Sequence, residues 1–305
     1  MPGEKILVGY VADRRGADAV ALGVSAAAGG GGLLVGHVRP PAWPARGPGS
    51  VDAEWESYLQ DRALRALEEG VELAAARGVT AGALPPVEDR GSGKGLAALA
   101  AGVETAVIVI GSAPGGSRTG ISLGSTADQL LHGSHLPVLI APKGYADRDR
   151  TGFDRVTAAY VRRPGAMAAV EAAAAIAVRH GVPLRLLTFA VGPSAGGRAA
   201  ALAEEQLHRL VEALESDLAD AANAVRETVR GSLRGRDVLT AVATGWDAAH
   251  AVSGADWTQG ELLVCSSSEA GPLRRVFMGD MSLKIVRSAP CPVMVVPRRG
   301  KADVR

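Results

Sequence analysis

Thr105–Ser125 reads TAVIVIGSAPGGSRTGISLGS. Its opening run, Thr105–Ile110, has the length and β-branched composition of a buried strand. The fifteen residues from Gly111 to Ser125 hold five glycines and lead into a segment of helical spacing. Strand, glycine loop and helix start in that order belong to a parallel α/β sheet, in which ligands gather beyond the carboxyl ends of the strands.

Working outward, the same alternation fills the chain. Lys5–Val11 (KILVGYV) and Gly32–Val38 (GLLVGHV) read as strands on either side of a helix at Ala17–Ala28. A Pro-rich loop, Arg39–Ser50, precedes a long amphipathic helix over Asp52–Arg77. A weaker strand at Val79–Pro85 and a short helix in KGLAALAA lead to Thr105–Ile110. A helix from Ser125 to His132 and a strand at Pro137–Pro142 complete the set. Strands alternating with helices predict right-handed crossovers and a parallel sheet covered on both faces.

A second set follows in the same order. Val156–Val161 reads as a strand, Pro164 to Gly181 as a helix, Pro183–Ala190 as a strand, and Arg198–Arg226 as a long helix. A short helix near Asp237–Ala243, a strand at Glu261–Ser266, a helix from Gly279 and a strand at Pro292–Pro297 close it. The pairs Gly111/Ser266, Gly124/Gly279, Pro137/Pro292 and Pro142/Pro297 all stand 155 residues apart. Two homologous α/β domains are therefore expected, at 1–145 and 152–298, with 146–151 inside a polar linker and 299–305 as a frayed tail.

Composition narrows the function. The 305 residues carry 33 basic and 32 acidic side chains and only 4% aromatics. That balance leaves no electrostatic footprint for nucleic acid or membrane. No run approaches the ~20 apolar residues of a membrane span, and the N-terminus reads as a strand rather than a secretory leader. Cys265 and Cys291 fit neither a zinc spacing nor a disulfide framework, so a reducing cytoplasm is the expected setting.

Within the loop, Gly111 allows a sharp turn with no Cβ facing a ligand. Gly115 and Gly116 are suited to a nest of consecutive N–H groups. Gly124, Ser125 and Thr126 open a helix whose N-terminal N–H groups and hydroxyls favour an anion. Arg118 lies mid-loop, where a charged contact to an anion and a solvated side chain are both open. GSGKG (Gly91–Gly95) lacks the spacing and the Ser/Thr of a P-loop and reads as a solvated turn into a helix. Ser266–Ser268 lacks the surroundings of a nucleophile, and the scattered histidines make no metal set, so neither a catalytic residue nor a metal site is expected.

These residues resemble the universal stress protein family in its tandem form. The family signature, G-x2-G-x9-G-[ST] before an apolar strand ending in proline, is matched by Gly111, Gly124, Ser125 and LPVLIAP. Pro114 stands at the second glycine, followed by Gly115 and Gly116. The resemblance implies two Rossmann-like, adenine nucleotide alpha hydrolase-like domains, each a five-stranded parallel sheet with helices on both faces. It implies ATP in the first domain, with ADP or AMP as alternatives and magnesium as an accompanying ion. Gly9, Val11 and Val38 fall at its adenine and ribose positions; Val11 occupies the place of a usual aspartate, and Asp13 lies two residues on. The second copy carries Glu269 and Asp280 where the first has Pro114 and Ser125, which predicts a second domain without nucleotide. The resemblance further implies a non-catalytic stress or regulatory protein acting through a protein partner. Its last strands would pair as an internal pseudo-dimer, with a homodimer also open. A nucleotide-independent scaffold and a weak ATPase are the alternatives.

Overall fold

The computed structural model describes residues 4–41, 50–115, 120–149, 151–162, 165–192, 198–229, 232, 238–267 and 280–297. The chain divides into two compact units, Met1–Gly152 and Phe153–Arg305.

Unit 1 contains β1 (Lys5–Gly9), α1 (Arg14–Ala27), β2 (Gly32–Gly36), β3 (Val38–Arg39), α2 (Ser50–Ala75), β4 (Ala81–Ala83), β5 (Val87–Glu88), α3 (Ser92–Gly102), β6 (Thr105–Gly111), α4 (Ser125–Gly133) and β7 (Val138–Ala141). Five strands form a parallel sheet in the order β7-β6-β1-β2-β4. The order reverses between β1 and β6, which opens a crevice at their carboxyl ends. Leu7, Val8, Ile108, Val109, Leu139 and Ile140 are buried on both faces of the sheet, as their continuous apolar runs require.

Several boundaries differ from the sequence reading. Strand β1 stops at Gly9 because Val11 turns its carbonyl back to accept from the Asp13 N–H at 2.8 Å. Helix α1 then starts at Arg14, three residues early, with the Asp13 carboxylate capping the N–H groups of Arg15 and Gly16. His37 separates β2 from β3, and β3 pairs with β5 in a two-stranded ladder of its own. The GSGKG segment is no solvated turn. Gly91, Gly93 and Gly95 are buried, and a Cβ on Gly93 would lie 2.7 Å from the Thr126 carbonyl of α4. Glycine alternates there with Ser92 and Lys94, which are exposed, and only the glycines face the protein.

The segment after β7 docks on α1. The buried Asp18 carboxylate accepts from the N–H groups of Gly144 (3.0 Å) and Ala146 (2.8 Å), and the Tyr145 hydroxyl donates to Ser25 Oγ at 3.2 Å. Burial raises the Asp18 pKa despite those two bonds.

Unit 2 contains β8 (Arg155–Ala159), α5 (Met167–His180), β9 (Leu184–Val191), α6 (Arg198–Thr228), β10 (Val238–Gly245), α7 (Ala248–Ser253), β11 (Glu261–Ser266), α8 (Asp280–Ser288) and β12 (Val293–Val296). Its parallel order, β10-β9-β8-β11-β12, repeats that of unit 1. The repeat extends to single bonds. Ser112 N donates to Ala141 O and Ser267 N to Val296 O, each at 3.0 Å and again 155 residues apart.

The helix expected near Asp237–Ala243 is instead strand β10. Val238, Thr240, Val242 and Thr244 alternate with unbranched-Cβ residues at the period of a strand, and the β-branched positions outweigh the helix preference of the two alanines. The helix lies further on, at α7, capped by Asp247.

At the amino end of this sheet lies a buried ionic cluster that the sequence reading missed. Glu261, wholly buried, accepts from Arg155 Nε (3.0 Å) and Nη2 (2.8 Å), Arg185 Nη2 (2.7 Å), the Thr258 N–H (2.9 Å) and the Thr157 hydroxyl. Every carboxylate lone pair is used, which is the condition for holding a charge in the interior.

Candidate functional site

The crevice of unit 1 is built from three strand ends. Gly111 closes β6, and its need for glycine is a close approach rather than a turn. A Cβ there would lie 2.2 Å from the Arg15 carbonyl, so the missing side chain lets the first turn of α1 press against β6. Beyond it the loop is pinched. Ala113 N donates to Ser122 O at 2.8 Å, and Ser122 N donates to the buried Ser112 Oγ at 2.7 Å. The Ser122 hydroxyl donates onward to Gly115 O at 2.7 Å, and Gly115 adopts φ +87°, in the left-handed region. Pro114 lies within this pinch, and Gly116 and Arg118 lie outside the described residues.

Gly124 is the N-cap of α4, extended at φ −104°, with no side chain bonded to the cap. A Cβ on it would sit 2.8 Å from Ala113 Cβ, so glycine holds the helix start against the loop. The first helical bond runs from Asp128 N to Gly124 O at 2.9 Å. The N–H groups of Ser125, Thr126 and Ala127 therefore have no partner within the helix. An anion at such a terminus gains about 0.3–1 kcal/mol, and up to ~2 when partly buried.

A cation joins this edge from a place the sequence reading overlooked. Lys143 Nζ donates to Gly115 O. Lys143 follows the closing strand by two residues, and β7 is the neighbour of β6, which brings its long side chain within reach of the glycine loop. The docking of Gly144 and Ala146 on Asp18 fixes it there.

Gly9, Val11 and Val38 reach the same edge with different surroundings. A Cβ on Gly9 would meet Leu96 of α3 at 2.5 Å, so the glycine admits α3 over the end of β1. Val11 is 37% exposed, an apolar surface at the mouth. Val38 packs against Gly95. Between them His37 Nδ1 meets the Tyr10 carbonyl at 2.9 Å. A carbonyl only accepts, so Nδ1 carries the proton and Nε2 is left as an acceptor. Burial, chiefly, holds the His37 pKa below its ordinary value, and the charge of Arg62 adds to this against the pull of the Tyr10 bond.

Asp13 is not positioned to replace the aspartate missing at Val11. Burial pushes its pKa up, but bonds from the Arg15 side chain and the Gly16 N–H and the charge of Arg15 hold it below the usual value. Its Oδ1 caps α1, and its Oδ2 accepts from the Arg15 guanidinium.

In unit 2 the described residues at the equivalent edge differ. Ser266, buried, places a side chain where Gly111 has none. Arg162 and Asp217 form an ion pair at the end of β8, and a Cβ on Gly192 would lie 3.1 Å from Leu207 of α6. Glu269 and Gly279 lie outside the described residues, and Asp280 is the first residue of α8. Among the described residues no three His, Cys, Asp or Glu side chains gather as a metal site, and no helix is long and apolar enough to cross a membrane.

The sequence profile of the universal stress protein family matches the chain twice, at residues 3–142 and 152–297. The chain belongs to the universal stress protein family. A universal stress protein of Mycobacterium tuberculosis is 35% identical over 308 residues, covering 96% of this chain and 99% of that one, and one of Mycobacterium bovis matches to the same extent. Among solved structures, a universal stress protein from Archaeoglobus fulgidus superposes with a TM-score of 0.66 at 19% identity, over 98% of this chain and 100% of that one. A functionally unknown protein from Pseudomonas aeruginosa follows at 0.55 and 14%, over 97% and 92%. These two likenesses are of fold.

Proposed function

We propose that this universal stress protein binds one adenine nucleotide, ATP foremost, in unit 1, and acts without catalysis by changing how that unit meets a protein partner. The observation that carries the reading is the uncapped start of α4. Three N–H groups, two of them on residues that also bring hydroxyls, lie against a pinched glycine loop with a lysine ammonium beside it. Backbone donors of this kind suit a phosphate chain. Gly9, Val11, His37 and Val38 line the neighbouring strand ends, and the Nε2 of His37 accepts where an exocyclic amino group would donate. The side chain of Ser266 and the Arg162–Asp217 pair argue against a second nucleotide in unit 2. No described residue cluster supplies a metal site, so magnesium would arrive with the nucleotide, held by its phosphates.

Thermal-shift titration of the full chain with ATP, ADP and AMP, alongside native mass spectrometry, tests this. One nucleotide per chain and a stabilisation lost in Gly124→Asp are expected. The aspartate would set a carboxylate on the anion site and a Cβ against Ala113. Two nucleotides per chain, or a shift unchanged in Gly124→Asp, would defeat the assignment to unit 1. A wild-type chain that gives no shift with any nucleotide would leave the scaffold function in its place. Sustained phosphate release lost in Ser125→Asp would replace the non-catalytic reading with the ATPase one.

A further inference from the structure

Each unit ends its sheet on an edge strand that follows the long helix, β4 in unit 1 and β10 in unit 2. The two edges are treated differently. Strand β4 is three residues long and runs into Leu84-Pro85-Pro86, followed by the charged Glu88, Asp89 and Arg90. Short length, proline and charge are the usual means of keeping an edge from pairing with another chain. Strand β10 has eight residues, VLTAVATG, with no charge and no proline, and its Leu239 side chain is 41% exposed. Trp246, just past its end, is 59% exposed. Among the described residues no strand pairs with its outer side.

The bonding pattern shows which backbone groups face outward. Gly245 registers with Val191 of β9, and its carbonyl accepts from Gly192 N at 2.9 Å, so Gly245 directs its groups inward. In a parallel ladder successive residues alternate between the two sides. Leu239, Ala241, Ala243 and Gly245 therefore bond towards β9, while Thr240, Val242 and Thr244 present N–H and C=O groups to the free side. Val238 shares that parity, and its carbonyl is taken from outside the sheet by Arg226 Nη2 at 2.8 Å.

The five residues Thr240-Ala241-Val242-Ala243-Thr244 read the same in both directions. Two copies laid antiparallel about Val242 would match throughout. Val242 would face its own equivalent, Thr240 the second copy's Thr244, and Ala241 the second copy's Ala243. All three outward-facing residues of each strand would then oppose one another, so every outward donor of the palindrome meets an outward acceptor. Threonine opposite threonine and valine opposite valine are favourable cross-strand pairs, and no charge opposes its like. We infer that β10 is a self-complementary edge and that a second copy of this chain covers it, joining two unit 2 sheets antiparallel about Val242.

Light scattering and sedimentation velocity on the full chain over a concentration series test the inference. The wild type should form a dimer. Val242→Pro removes an outward N–H but none of the bonds to β9, and Thr240→Lys sets a charge at the pairing line. Both should halve the mass-average, with circular dichroism unchanged. Residue-resolved hydrogen exchange needs no variant. In the dimer the amides of Thr240, Val242 and Thr244 should be protected, and dilution to monomer should release them. A wild type that stays monomeric, a dimer that persists in either variant, or rapid exchange of those three amides within the dimer would overturn the inference.

Discussion

The carboxyl edges of the two units share one frame and differ in what the frame admits. Tyr10 N bonds to Gly36 O and Tyr160 N to Leu187 O, each at 2.8 Å, so the residue that follows the first strand of each unit is held in the same way. At the fourth strand of each sheet in chain order, unit 1 places Gly111 against Arg15, while unit 2 buries the side chain of Ser266. The amino edges diverge as well. Unit 2 buries Glu261 between two arginines, whereas the residue 155 positions earlier in unit 1 is Ala106, and Lys5 simply donates to the Val103 carbonyl at 3.0 Å. Duplication has preserved the ladder bonds and left the ends of the sheets to vary, because ladder bonds are needed by every backbone and end residues answer only to their neighbours.

The sharpest break in that comparison is Glu261→Ala. It strands Arg155 and Arg185 without their carboxylate, and such a loss costs about 3–5 kcal/mol, to be read as an early unfolding step by calorimetry. Replacing Arg155, Arg185 and Glu261 together with apolar residues should restore most of the loss. Gly111→Ala comes next. Its Cβ would lie 2.2 Å from a backbone oxygen, and overpacking of this kind costs about 1–3 kcal/mol. The matching change in unit 2, Ser266→Gly, should destabilise less by the same measurement.

Lys143→Ala should weaken ATP binding in a calorimetric titration about fivefold, on the order of 1 kcal/mol, with little change in thermal stability without ligand. The smallest effect belongs to His37. Its folded pKa lies below the ordinary 6.5, so its contribution to stability is whole above pH 6.5 and is lost as pH falls through the folded value. A His37→Gln variant should show a shallower decline in melting temperature on acidification than the wild type.

The periodicity of the apolar runs made the sheet and its repetition legible, since a buried parallel strand leaves few choices of residue. The Asp237–Ala243 segment misled because alanine is compatible with either element, and the β-branched residues at even positions settle the matter only when given more weight. Asp13 followed by helical spacing was a readable cap. Lys143 was harder, for its meeting with Gly115 depends on which strands are neighbours. The approach of Arg15 to Gly111 depends on how a helix lies across a sheet, and Arg185 and Glu261, 76 positions apart, share no local signal at all.

The docking of Gly144–Ala146 on Asp18 bears on where this gene is to be cut. A fragment ending at Pro142 would keep every strand of the first sheet, yet it would leave a buried carboxylate facing nothing and discard Lys143. One ending after Arg148 keeps the clasp. Between those two stop codons lies the difference between a half-protein that holds its own last strand in place and one that frays at the very edge it is meant to present.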